Sequence, residues 1–462
     1  MVGPMDVVKC IWLPQRDEMR VILQKYIVDI SLFYHIVHVP SLQSLVEDIY
    51  AGLEANVRVD VGGVLLLLSI CASTTYAWSP PDDIRCLFAN SAEANGQSTF
   101  WIKQALDVIG HSQKTAHASL ECIQGLIILF FVFCNHESVS FRARNVFMYA
   151  ISMATELLLH RIDDPTASSM PTLVRMSEAK KEIGRRVWWF MVATDWTLAQ
   201  FSCPQEGVYL IHKHQMAVNK PRNTNDEDVI EGVDIIDRPE TEATCMSYFV
   251  QRIRLAEVCR ALLDRTPVGT QASESIAYQD ILDVDAKLNK FIQNAPSFFS
   301  VNYPGLDELP ATDIRRSLFI TAQRYMLNLL VHRQLCDAED TTEGEDEVAG
   351  AWKILHEVQD QFPPAAKLLE LSIKILRKYK IKHRALDLLQ QQVSGIAPYN
   401  NSFPMTPESA NQEIRMSSVQ QNIGTETENV LLEQHWQMLE GKMDLNTIDW
   451  DKLFWGIDAP FI

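Results

Sequence analysis

The segment that most restricts the fold of this chain is 180–196, KKEIGRRVWWFMVATDW, in which four cations precede a long apolar run. Trp188, Met191, Val192 and Asp195 are spaced at i, i+3, i+4 and i+7, so they share one face of a helix. No stretch of the sequence shows the convincing alternation of apolar and polar residues that indicates a half-buried β-strand. The segment therefore predicts a buried helix with a basic, solvated start, and the whole chain predicts an all-α fold.

Two apolar stretches, 61–78 and 122–134, have to be weighed as membrane spans. The first carries no charged residue and is near the lower length limit for a span, but Gly62, Gly63 and the hydroxyl run 73–75 weaken that interpretation. The second is too short to span. We expect both to be buried core helices, and we expect no membrane partner.

Periodicity, caps and prolines predict the remaining elements. A turn at Pro40 separates two helices in 28–60, and Ser177 is suited to cap the helix that continues to residue 200. A polar loop is predicted over 203–240. Further helices are predicted over about 84–94, 98–111, 117–134, 138–160, 242–264, 274–294 and 311–336.

Cysteine spacing and histidine spacing argue against a metal site. The nine cysteines are scattered without a C-x-x-C pair, so they predict reduced core thiols and no structural zinc cluster. His35 and His38 lie one turn apart, but no third ligand is near them in the sequence. We expect both histidines to be structural, and we expect no metal and no cofactor.

Two His-Arg pairs, His160-Arg161 and His332-Arg333, could be taken for acid–base groups. Each pair closes an apolar helix, where the helix dipole favours a cation by ~0.3–1 kcal/mol. The chain also has no phosphate-binding glycine loop and no G-x-S-x-G sequence. We expect no catalytic residue and no enzyme.

Five phrases resemble, in the right order, the middle homology region of fungal-specific transcription factors. They are the opening motif LFYHIVHVPSL (32–42), the helix RNVFMYAISMATELLLHRID (144–163), the core helix GRRVWWFMVATDW (184–196), the acidic loop KPRNTNDEDV (220–229) and the late helix AQRYMLNLLVHRQL (322–335). The resemblance covers about 28–335, and it departs from the family at Leu158, where glycine is usual. It implies a large helical regulatory array in which Asp195 pairs with a buried arginine. The motif residues that it marks as structural are Arg185, Arg186, Trp188, Trp189, Asp195, His160, Arg161, His332 and Arg333.

The predicted organisation has four parts: an N-terminal lead-in (1–27), a helical regulatory domain (28–392), a flexible polar linker (393–430) and an acidic, aromatic C-terminal segment (431–462). The linker is polar and cannot bury enough apolar surface to offset the entropy of ordering. The C-terminal segment interleaves acids with aromatics, which is typical of activation segments, although a helix docked on the domain has the same pattern. The candidate activation residues are Asp449, Trp450, Asp451, Leu453, Phe454 and Trp455.

The resemblance implies a nuclear transcriptional regulator of a fungal metabolic or biosynthetic gene set. The formal net charge of −18 and the missing zinc cluster argue against direct DNA binding, so we expect DNA contact only through a partner or through residues outside this sequence. The basic stretch 374–384 could bind nucleic acid or serve as an import signal, but a packing helix is the simpler interpretation.

The expected partners are a second copy or a zinc-cluster relative, the transcription machinery and a small-molecule effector. Two alternatives stay open from the sequence. One is a co-regulator or decoy that pairs with zinc-cluster relatives, and the other is a helical domain recruited as a biosynthetic enzyme.

Overall fold

The computed structural model describes residues 10–115, 118–137, 139–167, 169–199, 204–265 and 278–299. These residues form helices, turns and loops and contain no β-strand, which confirms the all-α fold. The α-helices among them are α1 (Arg16–Lys25), α2 (Ser31–Tyr34), α3 (Val39–Glu54), α4 (Val61–Tyr76), α5 (Ser91–Thr115), α6 (Leu120–Glu137), α7 (Phe141–Glu156), α8 (Pro171–Val174), α9 (Glu178–Leu198), α10 (Ser247–Leu263) and α11 (Tyr278–Gln293).

The opening of the fold is a continuous run from α1 through a π-helical turn, Tyr26–Ile30, into α2. At the end of α2 His35 takes a left-handed conformation with φ 43°, and α3 then begins at Val39 with Pro40 in its first turn. Proline is tolerated there because the first N–H groups of a helix have no partner within the helix. The turn between the two helices buries His35 and leaves His38 half-buried.

Helices α4 and α6 form the centre of the core, because both are apolar on nearly every side. Helix α4 is capped by Asp60, whose Oδ2 accepts the N–H of Gly63 at 2.6 Å. Helix α6 lies directly against it: a Cβ on Gly125 would stand 3.0 Å from the backbone N of Leu66. The two backbones can approach this closely because residue 125 has no side chain. Helix α5 packs on α4, and α7 packs on α6.

Helix α6 is longer than the apolar run from which it was predicted. Its 18 residues make it long and apolar enough, by length and composition, to cross a membrane, which corrects the expectation that it is too short. However, 78% of its most apolar window is buried inside the protein. That burial against α4 and α7 is what the prediction of a core helix requires.

Helix α7 ends at Glu156, earlier than predicted, because Leu158 adopts a left-handed conformation with φ 60°. The N–H of Leu158 bonds to the carbonyl of Thr155 at 3.0 Å, and the 3-10 turn Leu159–Arg161 follows. A left-handed conformation costs an L-residue about 1–2 kcal/mol, which glycine avoids. The glycine usual in the resembled family therefore suits this backbone, and Leu158 holds the same conformation at a cost.

The helix predicted over about 84–94 is wrong in its bounds. The chain forms a 3-10 turn, Pro80–Arg85, and α5 starts only at Ser91. Between them Cys86 is left-handed with φ 53°, which ends the turn. The two prolines at the start of the turn and the carboxylate of Asp82, which accepts the N–H of Ser79 at 2.9 Å, favour this short element over a long helix.

Helix α9 begins at its predicted cap, since Ser177 Oγ accepts the N–H of Lys180 at 3.3 Å. Helix α10 packs against α9, and α11 packs against α10. The polar loop predicted over 203–240 is confirmed for its described part, which contains only two 3-10 turns, Lys213–Gln215 and Asp226–Asp228. The predictions for 300–462 lie outside the described residues, and these include the late helix with His332 and Arg333, the linker and the candidate activation residues.

Candidate functional site

Two of the four cations at the start of α9 are buried. Arg185 exposes 8% of its side chain and Arg186 exposes none, whereas Lys180 is exposed and Lys181 is half-buried. The predicted solvated start of the helix is therefore wrong for the two arginines. A buried guanidinium group needs carboxylates in contact with it, and the acids that supply them come from α9 itself and from two distant segments.

Arg186 lies at the centre of this charge network. Its Nη1 is 2.5 Å from Oδ1 of Asp226, and its Nε is 3.9 Å from Oε1 of Glu182. Burial, the largest influence, would raise the pKa of the Asp226 carboxyl. The charges of Arg186 and His35, together with the hydrogen bonds to the carboxylate, hold that pKa below its ordinary value. Asp226 is therefore ionised at neutral pH and forms a buried ion pair with Arg186.

Arg185 neutralises a second acid. Its Nη2 and Nε donate to Oδ1 and Oδ2 of Asp163 at 2.7 and 3.0 Å, and its Nη1 donates to Glu182 at 3.2 Å. Asp163 also accepts the N–H of Asn219, and Glu182 accepts the N–H of Arg222. Burial would raise the pKa of Asp163, but the hydrogen bonds and charge of Arg185 hold it below its ordinary value. The network thus fastens the loop that follows α9 to the first turns of that helix.

The opening motif contacts the same carboxylate as Arg186. The N–H of Val39 donates to Oδ2 of Asp226 at 3.1 Å, and Nε2 of His38 donates to the carbonyl of Asp226 at 2.9 Å. Ser41 Oγ lies 2.6 Å from Nδ1 of His38 and holds the ring in place. The opening motif, the core helix and the acidic loop therefore meet at Asp226. An acid of this loop pairs with a cation of the core helix.

The acidic loop takes its shape from Asn223, which the sequence did not single out. Its Nδ2 donates to the carbonyls of Arg238, Pro239 and Glu242 at 3.0 to 3.3 Å, and its Oδ1 accepts from Thr244 Oγ1 at 2.6 Å. These contacts fix the loop on either side of Asp226 and aim that carboxylate at α9. The sequence could not have revealed this role, because a single asparagine in an acid-rich loop forms no recognisable motif.

Asp195, at the other end of α9, is buried without an arginine in contact among the described residues. Its Oδ2 accepts the N–H groups of Leu210 and Ile211, both at 2.7 Å, and its Oδ1 accepts from Gln205 Nε2 at 3.1 Å. Burial raises the pKa of Asp195 to about 6, although these hydrogen bonds oppose the shift. The expected buried Asp–Arg pair does not form among the described residues; two backbone N–H groups and the Gln205 amide bind Asp195 there.

Both tryptophans of the core-helix motif are buried and hold loop groups. Trp189 Nε1 donates to the carbonyl of Asn219 at 2.9 Å, and Trp188 Nε1 lies 3.4 Å from Sδ of Met216. Because a buried indole N–H needs a partner, each ring helps to fix the course of the loop over α9. Together with the ion pairs, these contacts account for the packing of a long irregular segment on a helix.

His160 and Arg161 make contacts typical of a structural pair. Burial first, and then the charge of Arg161, lowers the pKa of His160, while the backbone carbonyl of His160 accepts the N–H of Ala217 at 2.8 Å. Arg161 Nη2 lies 2.7 Å from Oδ2 of Asp164. Arg161 also donates to Thr166 Oγ1 at 3.1 Å, and the ring of His160 packs 5.9 Å from the ring of Trp188.

A group of buried polar atoms lies in the interior between the opening helices and α10. The hydroxyls of Tyr26 and Tyr34 are buried, and that of Tyr26 has no hydrogen-bond partner among the described residues. The Tyr34 ring is 5.8 Å from the ring of Phe190, and the Arg252 guanidinium lies 4.2 Å from that same ring. Arg252 donates to Thr194 Oγ1 at 2.7 Å and has no carboxylate in contact within the described part of the chain. We call these groups the tyrosine–arginine cluster.

His35, Asp226 and Cys245 form the group of potential metal ligands in the described residues. Their ligand atoms all lie within 4.8 Å of one another, with His35 and Asp226 buried and Cys245 half-buried. The sequence gave His35 no third ligand, because the two other donors come from the acidic loop and from the start of α10. Only the folded backbone brings them together.

Comparisons with known proteins agree with the sequence resemblance. The fungal specific transcription factor domain matches residues 23–294, which is more than half of the chain. A probable transcription factor, lepB, from Aspergillus flavus is 36% identical over 330 residues, which cover 70% of this chain and 58% of that protein. No solved structure matches the chain.

Two further relatives carry similar names. Transcription factor TAS2 of Pyricularia oryzae is 30% identical over 325 residues, covering 70% of this chain and 40% of that protein. The agnestins biosynthesis cluster transcription factor AgnL11 of Paecilomyces divaricatus is 27% identical over 288 residues, covering 62% of this chain and 42% of that protein. The chain thus spans 40% to 58% of the lengths of these three relatives.

Proposed function

The chain belongs to the fungal specific transcription factor domain family, and we propose that it regulates the transcription of a fungal biosynthetic gene set. The observation that carries this proposal is its similarity to relatives named as transcription factors, one of them the regulator of a biosynthesis cluster. We place its action in the nucleus. Membership of a family of regulators also argues against the enzyme alternative. Among the described residues His160, the histidine beside the core helix, contacts the N–H of Ala217 and the ring of Trp188.

DNA contact, in this proposal, is made by a partner or by a segment outside the sequence. A net charge of −18 opposes binding to phosphates, and the scattered cysteines cannot build a binuclear cluster. A zinc-cluster relative, as a heterodimer partner, would supply the DNA-reading module. The described helical domain would then hold the complex together and pass on a signal.

The signal, we propose, is a small-molecule effector bound at the tyrosine–arginine cluster. The buried hydroxyl of Tyr26 lacks a hydrogen bond from the described residues, and a ligand can supply one. A guanidinium group stacked on Phe190, with no acid in contact among the described residues, favours an anionic ligand with an aromatic ring. An aromatic carboxylate meets both requirements. Binding would bias the protein towards the conformation with the higher ligand affinity.

The effector proposal is tested by thermal unfolding of the whole chain with sodium benzoate and with neutral benzamide as probes. We expect benzoate to raise the Tm more than benzamide does, and we expect Arg252→Met to remove that difference. Tyr149→Phe, on the half-buried tyrosine of α7, is the matched control and should keep the difference. Equal shifts with both probes in the unmodified protein would contradict an anion-selective site.

The regulatory proposal is tested by deleting the gene and measuring transcripts genome-wide. We expect a co-located set of biosynthetic genes to lose expression. A rise in the same transcripts would favour the decoy alternative, and unchanged transcripts combined with turnover of a pathway intermediate by the purified protein would favour the enzyme.

The role of the C-terminal segment is tested by fusing residues 400–462 to an unrelated DNA-binding domain in a reporter strain. We expect activation from the fusion, because alternating acids and aromatics suit a partner groove. Replacing Trp450, Phe454 and Trp455 by alanine should abolish it, whereas replacing the apolar Val430, Leu431 and Leu432 should not. A silent fusion would remove the activation role and leave the decoy alternative.

A further inference from the structure

We propose that His35, Asp226 and Cys245 form a binding site for a divalent transition metal, with Zn²⁺ as the preferred ion. The site lies where the opening motif, the acidic loop and the start of α10 meet. It does not depend on the proposed regulatory function, and it differs from the expectation that His35 is only structural.

The three donors suit zinc in kind and in arrangement. Imidazole, carboxylate and thiolate are its common protein ligands, and three of them leave a fourth position for water or another group. Cys245 Sγ lies 3.8 Å from Oδ1 of Asp226, and all three ligand atoms lie within 4.8 Å of one another. Cys245 is half-buried while the other two are buried, so the cysteine is the ligand most exposed to solvent.

The backbone at His35 supports a specific role for its side chain. Its φ of 43° lies in the left-handed region, which costs energy for a residue with a Cβ. Such strain persists where the surrounding structure fixes it, and it is common at ligand sites. Here the strained turn holds the imidazole against the carboxylate of the acidic loop.

Hydrogen bonds from neighbouring groups orient the ligands, as is usual for metal ligands. Arg186 donates to Oδ1 of Asp226, and the N–H of Val39 donates to Oδ2. The N–H of Cys245 donates to Oδ1 of Asn225, the residue that precedes Asp226. These contacts orient the carboxylate and the thiol before any ion arrives.

The net charge of the buried groups favours a divalent cation. As a metal ligand the imidazole of His35 is neutral. Three carboxylates of the network, those of Asp163, Glu182 and Asp226, then face the two guanidinium groups of Arg185 and Arg186, which leaves one negative charge. Binding of zinc releases the thiol proton of Cys245 and adds a second negative charge. A divalent ion neutralises both. The nearby Arg186 charge repels the ion and so makes the site weaker than a closed structural zinc site.

The test is a titration of the reduced, chelator-treated full-length chain with Co²⁺ and then Zn²⁺. We expect one equivalent of Co²⁺ to produce a thiolate-to-cobalt charge-transfer band, because a cysteine is a ligand, and one equivalent of Zn²⁺ to abolish it. Cys245→Ser and His35→Asn should each lose the band, and asparagine is chosen because it tolerates the left-handed backbone. Absence of the band in the unmodified protein overturns the proposal.

The matched control is Cys259→Ser, which alters a buried thiol within α10, outside the site, and should keep the band. All titrations use a background in which serine replaces Cys10 and Cys86, which are exposed, and Cys203 and Cys336, which lie outside the described residues, so that these thiols do not bind cobalt. A band that survives Cys245→Ser assigns the metal to another thiol and overturns the proposal.

A second measurement works on the unmodified protein in case Cys245→Ser does not fold. The rate at which iodoacetamide alkylates Cys245 is measured by peptide mass spectrometry with and without Zn²⁺. We expect Zn²⁺ to slow the alkylation of Cys245, because a coordinated thiolate is not available to react, and Mg²⁺ to leave it unchanged. Equal rates with and without Zn²⁺ contradict the site.

Discussion

Single residues of α9 show two ways of keeping a charge inside a protein. Arg186 is compensated by the carboxylate of Asp226, so its burial depends on a partner from the acidic loop. Asp195 is compensated by two loop N–H groups and an amide, so its burial depends on the path of the backbone. The carboxyl in the first arrangement stays ionised at neutral pH, whereas burial raises the pKa of the Asp195 carboxyl to about 6 against the effect of its hydrogen bonds.

Replacing Arg186 by methionine should destabilise the protein by about 3–5 kcal/mol, because it leaves Asp226 buried without its cation. Adding Asp226→Asn to this variant should recover part of that loss, since the buried charge then disappears. Urea unfolding measures both effects. Arg20→Met, on an exposed ion pair, is the control and should unfold like the unmodified protein. An Arg186→Met variant as stable as that control would refute the central role of the pair.

Replacing Asp195 by alanine should destabilise the protein by about 2–5 kcal/mol at pH 7.5, because two buried N–H groups lose their acceptor. Asp195→Asn should cost less, because its amide oxygen can accept both N–H groups while Gln205 turns its own oxygen to the new NH₂ group. Equal losses in the two variants, measured by urea unfolding, would show that the charge and not the acceptor matters.

A comparison of the unmodified protein with Asp195→Asn tests the pKa of Asp195. With a folded pKa of about 6 and an ordinary value of 3.8, the folded state keeps a proton that the unfolded chain has already released. This contribution stabilises the fold below about pH 4 and is lost as the pH rises through about 6. The stability of the unmodified protein relative to Asp195→Asn should therefore increase when the pH is lowered from 7 to 5. A constant difference would contradict the raised pKa.

At the level of helices, the distance between backbones decides which positions accept a side chain. Helices α4 and α6 touch through Gly125, where a Cβ would stand 3.0 Å from the backbone N of Leu66. In α5 a Cβ on Gly110 would have no heavy atom within 4 Å. A substitution by alanine should therefore have opposite effects on stability at these two glycines.

Gly125→Ala should destabilise the protein by about 1–3 kcal/mol, because the added methyl group forces α4 and α6 apart. Gly110→Ala is the matched control and should stabilise it by about 0.5–1 kcal/mol, since alanine restricts the unfolded chain and favours helix. Thermal unfolding distinguishes the two. Stabilisation by both substitutions would mean that the two helices are not in close backbone contact.

For the molecule as a whole, periodicity was enough to predict the helical fold, the cap at Ser177 and the core position of α4. It could not show that Arg185 and Arg186 are buried, because the acids that neutralise them come partly from distant segments. The family resemblance misassigned the partner of Asp195, because the groups that bind this carboxylate lie in irregular backbone without a motif. The sequence also could not predict that His35 lies close to Asp226 and Cys245, because these two residues are about two hundred positions away along the chain.

The charge of the whole chain leads to a test of indirect DNA contact. At a net charge of −18 the purified chain should bind a DNA duplex with a Kd of about 10⁻⁶ M or weaker at physiological salt, as non-specific binding does. Fluorescence anisotropy with a labelled duplex measures this, and adding a zinc-cluster relative should produce tight binding of the complex. The basic stretch 374–384 is the local exception that the sequence left open. If the chain alone bound tightly with a steep salt dependence, and if replacing the lysines and arginines of 374–384 by glutamine removed that binding, this stretch would be a direct DNA contact and the need for a partner would disappear.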